Sequence, residues 1–239
     1  MEQINHQIQR LNVTVANGCH VDASITHSPR KPKTRTAYEV VSDREERDDE
    51  TDAQTSMRVI AVTQPGVDIE ARWVSIRGQS FFGYKQHTLV DHNGLVMAVE
   101  TTAANCHDSK LLLTLLDKAE IVPGTRGVHA NKAYCSQKHR EALKSRGIKN
   151  GIQDKALKNK PLTARQIQRN RLITQARYVV ERTFGSQTRW FGSKILRYYG
   201  RAKAHAWHIL QAMAYNLKRL PRLYVERLLP RQPQASCVF

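Results

Sequence analysis

The chain has 239 residues, 40% hydrophobic and 7% aromatic, which is enough for one buried core and excludes a low-complexity polar chain. Its formal charge of +17 and pI near 10.0 say little about fold but describe a surface that attracts polyanions, nucleic acid first among them. Cys19, Cys106, Cys135 and Cys237 show no C-x-x-C spacing, which speaks against a zinc finger and fits a reducing cytoplasm. The N-terminus is polar, and the longest nearly apolar stretch, LLLTLL at 111–116, is far too short to span a bilayer.

In chain order, Ile4, Ile8 and Leu11 predict a short helix or tail, broken by Gly18. CHVDASIT then reads as a short strand carrying Asp22. After Thr26 the pattern dissolves. Pro29, Pro32 and clustered Lys and Arg lead into DREERDDETD at 43–52, seven acids against two Arg. Residues 30–72 are therefore expected to be a mobile charged insertion, with order returning near Trp73. FFGYKQHTLV, the turn DHNG and LVMAVETT predict a β-hairpin. Residues 107–119 predict a helix with Leu111, Leu112, Leu115 and Leu116 on one face, ended by Pro123-Gly124. A short strand at 126–131, a helix at 136–146 stopped by Gly147, and a weak strand at 148–153 follow. Thr163 caps a long helix to about Phe184 with Ile167, Ile173, Ala176, Val180 and Phe184 along its stripe. The last helix, 204–220, is expected to bury Trp207, Leu210, Ala214 and Leu217 and to end at Pro221. Strands alternating with helices after a first hairpin imply an α/β fold, a mixed sheet covered on both faces.

Three acids invite a functional question. Asp22 sits where β-structure disfavours Asp, so it is either a strand-edge residue or a group with a partner, a metal or solvent. Glu181 lies one turn after Arg177, which alone is an ordinary i, i+4 pair. Asp108 suits the first turn of its helix.

Together, GCHVDASIT, the stretch from ARWVSIRGQSFFGYK to AANCHDSK, and ARYVVERTFGSQTRWFG followed by RYYGRAKAHAWHILQAMAYNLKRL resemble the DDE transposases of small bacterial insertion sequences. The resemblance covers about residues 4–220 and implies a ribonuclease H-like catalytic domain. Its three acids stand on the first strand, after the fourth, and on a late helix. The first matches Asp22. The third matches Glu181, with Arg177 completing R-x3-E. The second opens a motif usually written A-D-K-G-Y. Here it reads Ala130-Asn131-Lys132-Ala133-Tyr134, so Asn131 replaces the Asp. The basic residue expected seven positions after the Glu is Thr188, with Arg189 next to it.

The resemblance implies two Mg²⁺ (or Mn²⁺) ions in an intact relative, held here by Asp22 and Glu181 and weakened by Asn131. It implies catalytic impairment, element-end and target DNA as partners, homo-oligomers on DNA and a cytoplasmic location. Arg30, Lys31, Lys33, Lys155, Lys158, Lys160 and Arg189 are the candidate DNA contacts. The expected division is residues 1–17 as remnant of an N-terminal helical region, 18–29 as first strand, 30–72 as insertion, 73–190 as the rest of the catalytic domain, and 191–239 as a basic helical extension. Only 21 residues precede Asp22, which reads as N-terminal truncation. A non-catalytic DNA-binding or regulatory derivative is the alternative.

Overall fold

The computed structural model describes residues 1–11, 18–32, 37–43, 56–62, 65–120, 127–158 and 160–228. The elements are α1 (Glu2–Arg10), β1 (Cys19–His27), β2 (Ala37–Asp43), β3 (Ser56–Val62), β4 (Arg72–Ile76), β5 (Gln79–Asp91), β6 (Val96–Ala103), α2 (Leu112–Lys118), β7 (Val128–Ala130), α3 (Gln137–Ser145), β8 (Asn150–Ile152), α4 (Ala164–Phe191) and α5 (Arg201–Leu228).

One mixed sheet organises the body. β5 pairs antiparallel with β6 and, further along, with β4. Its other edge pairs antiparallel with β1, from Cys19 opposite Asp91 to His27 opposite Gly83. β1 then runs parallel to β7, and β7 parallel to β8. β1 is thus central, with antiparallel neighbours on one side and parallel ones reached through helices on the other. This is the expected α/β arrangement, a ribonuclease H-like sheet flanked by helices.

Side-chain alternation on β1 sends Cys19 and Val21 into a core with Leu89, Leu112, Leu115, Leu116, Val128 and Ile152. Each fully buried Leu there contributes about 1.5–3 kcal/mol. On the opposite face Val180 of α4 and Ala212 and Tyr215 of α5 pack on Val90, Val96 and Val99. The predicted turn at 91–94 closes the β5–β6 hairpin: Gly94 takes φ +82° and its N–H reaches the Asp91 carbonyl at 3.0 Å.

Several expectations need correction. Within the 30–72 segment β2 and β3 pair as a separate two-stranded sheet. Order resumes before Trp73: the Asp68 carboxylate accepts from the Tyr84 hydroxyl at 2.7 Å and from Gly200 N–H at 3.3 Å. The 107–119 helix begins as a 3₁₀ turn over Asp108–Leu111, and Pro123-Gly124 lie outside the described residues. The long helix runs on to Phe191, because Thr183 and Gln187 are buried and Gly192 supplies a left-handed cap at φ +63°. Its Thr163 N-cap is as read, completed by Gln166 into a capping box.

The last helix departs most. It spans Arg201–Leu228 and carries Pro221 inside it. A proline costs an interior helix about 3 kcal/mol, but Leu223 beyond it is buried with Ile8 and Leu95, and this packing holds the chain helical. The buried face also differs: Leu210 and Leu217 are 58% and 54% exposed, while His208 and Asn216 face the sheet and Gln211 is buried against the Phe191 carbonyl of α4. The reason is polar. Asn216 accepts from Val96 N–H and donates to Val96 C=O, both at 2.8 Å, so its amide completes the start of β6.

Candidate active site: an acid pair closed by arginine and asparagine

Three elements converge where β1 and β7 run side by side. β1 carries Asp22 on the face opposite Val21, beneath α4. β7 ends at Ala130, and Asn131 caps the 3₁₀ turn Lys132–Tyr134 by accepting from Ala133 N–H at 2.7 Å. Its amide nitrogen then donates to Asp22 Oδ1 at 3.2 Å. From α4, Arg177 donates to Asp22 Oδ2 at 2.6 Å and stands 4.0 Å from Glu181 Oε1. The sequence-predicted quartet of Asp22, Asn131, Arg177 and Glu181 is therefore brought together.

Its members differ in access. The Asp22 and Arg177 side chains are 14% and 9% exposed, whereas Glu181 is 55% exposed. Burial pushes the Asp22 carboxyl above its ordinary range. The Arg177 charge and hydrogen bonds from Ala23 N–H and Arg177 pull it back, and Glu181 adds to the rise.

Asp108 and Asp154, two further acids in this part of the chain, are engaged elsewhere. Asp108 pairs with Lys85 at 2.8 Å. Asp154 holds Arg140 at 2.9 Å and Arg169 at 2.8 Å. Thr188 bonds Phe184 C=O and Ser193, leaving Arg189 as the exposed cation of that turn.

Sequence reading missed the aromatic layer two residues before Asp22. His20 stacks on His129 with ring centroids 5.0 Å apart and lies 6.1 Å from His92. Burial, then His129, His92 and Arg177, lower His20 to about 3, so it is neutral. The signal available was only parity: His20 and Asp22 share a strand face.

The candidate DNA contacts scatter. Lys155 borders a cleft of about 710 Å³ with Lys132, Ala133, His107 and Gln153, beside Asn131. Lys158 and Lys160 are exposed on the following loop. Arg30 lies over the Tyr199 ring at 4.7 Å, Lys31 is exposed, and Lys33 falls outside the described residues. Lys132 and His107 were not in the sequence-based set, and only the fold puts them next to Lys155.

A central strand and a late helix bring two acids together over a mixed, ribonuclease H-like sheet. Residues 49–217 match the family described as Transposase DDE domain. The chain is 37% identical over 219 residues to the transposase for insertion sequence element IS1106 of Neisseria meningitidis serogroup B, covering 91% of this chain and 70% of that one. It is 34% identical over 110 residues to the putative transposase for insertion sequence element IS402 of Burkholderia cepacia, covering 42% and 47%. No solved structure matches. The chain belongs to the DDE transposase family of bacterial insertion sequences, and its function is DNA transposition. Asn131, Arg177 and Glu181 lie inside the matched segment and Asp22 precedes it. Among the described residues no helix is long and apolar enough to cross a membrane.

The family generally uses divalent metal ions. The residues present here do not fit such a centre. Among the described residues no three His, Cys, Asp or Glu are grouped to hold a metal. The Asn131 oxygen is turned to Ala133, and an N–H faces each Asp22 oxygen, Asn131 at Oδ1 and Arg177 at Oδ2. An Asp at 131 could cap the same turn, but its second oxygen would then face Asp22 and need a cation between them. Asn closes that gap with a direct hydrogen bond.

Proposed function

We propose that Asp22, Asn131 and Glu181 are the altered catalytic centre of a transposase that keeps DNA binding and has lost most of its strand cleavage. The observation that carries this reading is the Asn131 amide donating to Asp22, at the position where the family resemblance implies a second carboxylate. In an intact relative, two Mg²⁺ or Mn²⁺ ions would supply Lewis-acid stabilisation of the attacking and leaving oxygens at the phosphate. In this chain one negative charge is missing, and Asp22 is bonded to protein donors instead. Ion binding is correspondingly weakened, and poor positioning of the reacting phosphate lowers the rate by about 100-fold or more.

DNA engagement rests on charge. Lys132 and Lys155 flank the cleft beside Asn131, and Lys158, Lys160, Arg30, Lys31 and Arg189 add exposed or ring-stacked cations. Two element ends suit a two-fold pair of chains on DNA, in a cytoplasmic setting. The same Asn131–Asp22 bond favours a second reading, a non-catalytic derivative that occupies element ends or enters an intact partner's oligomer.

The test is nicking and strand transfer on DNA bearing the element ends, with Mg²⁺ or Mn²⁺. Asn131→Asp is expected to raise both by about 100-fold, and Glu181→Ala in that background to abolish them. An Asn131→Asp protein that binds DNA yet stays inert moves the non-catalytic reading ahead. A parent chain as active as Asn131→Asp overturns the impairment.

A further inference from the structure

The position between Asp22 and Glu181 is already held by a cation of the protein's own. Arg177 reaches Asp22 Oδ2 at 2.6 Å and lies 4.0 Å from Glu181 Oε1, so its guanidinium spans the two remaining carboxylates. It is 8% exposed, and its Nε is buried without a hydrogen-bond partner. A surface ion pair would share its donors with water. This one commits a nearly desolvated charge to one acid and leaves another donor unsatisfied, a costly arrangement unless Asp22 is ionised. The backbone adds rigidity, because Arg177 sits in the middle of the 28-residue α4 between Ile173 and Val180, both buried.

We infer that Arg177 is the resident counterion of Asp22 and that a divalent cation gains this site only by displacing it. The inference rests on the catalytic-centre reading above and adds a residue that sets metal affinity by competition. Asn131 and Arg177 then act differently. Asn131 removes a ligand, while Arg177 occupies the position that any ligand set would offer.

The experiment is Mn²⁺ titration followed by electron paramagnetic resonance of the free ion, with thermal unfolding checking that each variant folds. The parent chain is expected to show no Mn²⁺ site that Asp22→Ala removes. Asn131→Asp is expected to gain one. Adding Arg177→Gln to Asn131→Asp is expected to tighten it by about tenfold, while Arg177→Lys, which keeps the charge, leaves the Asn131→Asp affinity unchanged. Equal affinity with Arg and Gln at 177 overturns the counterion role while the catalytic-centre reading stands. No Asp22-dependent Mn²⁺ binding in the double variant overturns both.

Should Arg177→Gln fail to fold, Mg²⁺ titration of ¹⁵N-arginine-labelled Asn131→Asp reads the same point by NMR. The Arg177 side-chain signal, assigned by its loss in Arg177→Lys, is expected to move with the midpoint of metal binding. A signal that stays fixed through saturation overturns the inference.

Discussion

Two buried polar networks hang from the same strand, four residues apart, and they are built on opposite principles. At Asp22 the network is ionic. Arg177 of α4 and Asn131 after β7 close on one carboxylate. At Thr26 it is neutral. His208 of α5 meets Thr26 at 3.0 Å through one ring nitrogen and Thr101 at 2.8 Å through the other. Both tie a helix to the sheet. An ionic network keeps a charge in a poorly solvated place, where it can act on a phosphate or a cation. A neutral one satisfies its donors and acceptors and does no more than pin α5. The difference is one of charge: the Asp22 network holds ionised groups and the Thr26 network does not.

The comparison breaks most visibly if Arg177 is removed. Arg177→Leu leaves Asp22 buried and unpaired, and is expected to cost about 3–5 kcal/mol in chemical denaturation. A loss below about 1 kcal/mol would place the pair in the range of a solvated surface bridge.

His208→Leu is expected to cost less, about 1–3 kcal/mol, since two hydroxyls lose a partner but no charge is stranded. It has a pH signature as well. Burial, then His205 and His87, lower His208 from 6.5 to about 3. The unfolded chain takes up that proton near 6.5 and the folded chain only near 3. Stability therefore falls as pH drops through that window and is insensitive to this group above it. Melting curves from pH 7 to 5 are expected to show the decline in the parent chain and a shallower one in His208→Leu. Parallel slopes would remove His208 from the account.

The smallest effect sharpens the helix assignment. Leu217→Ala is expected to change stability within about 0.5 kcal/mol, because Leu217 is 54% exposed. A core-sized loss would restore the stripe that the sequence periodicity suggests.

Local chemistry in the sequence was enough for much of this protein. The DHNG turn, the Thr163 cap, the Leu-rich α2 and the alternation of strands and helices depend on near neighbours, and they stand where expected. The family motifs likewise marked Asp22, Asn131, Arg177 and Glu181. Tertiary structure decided the rest, because partners distant in sequence outweigh local preference. Leu223 packed on Ile8 and Leu95 carries α5 past Pro221. The Val96 backbone draws Asn216 inward, while Leu210 and Leu217 stay exposed. Asp22 and Arg177 are 155 positions apart, and neither motif says that they touch. Periodicity records which residues share a face. What that face meets depends on the polar groups waiting on the sheet, and only the folded chain brings them within hydrogen-bonding distance.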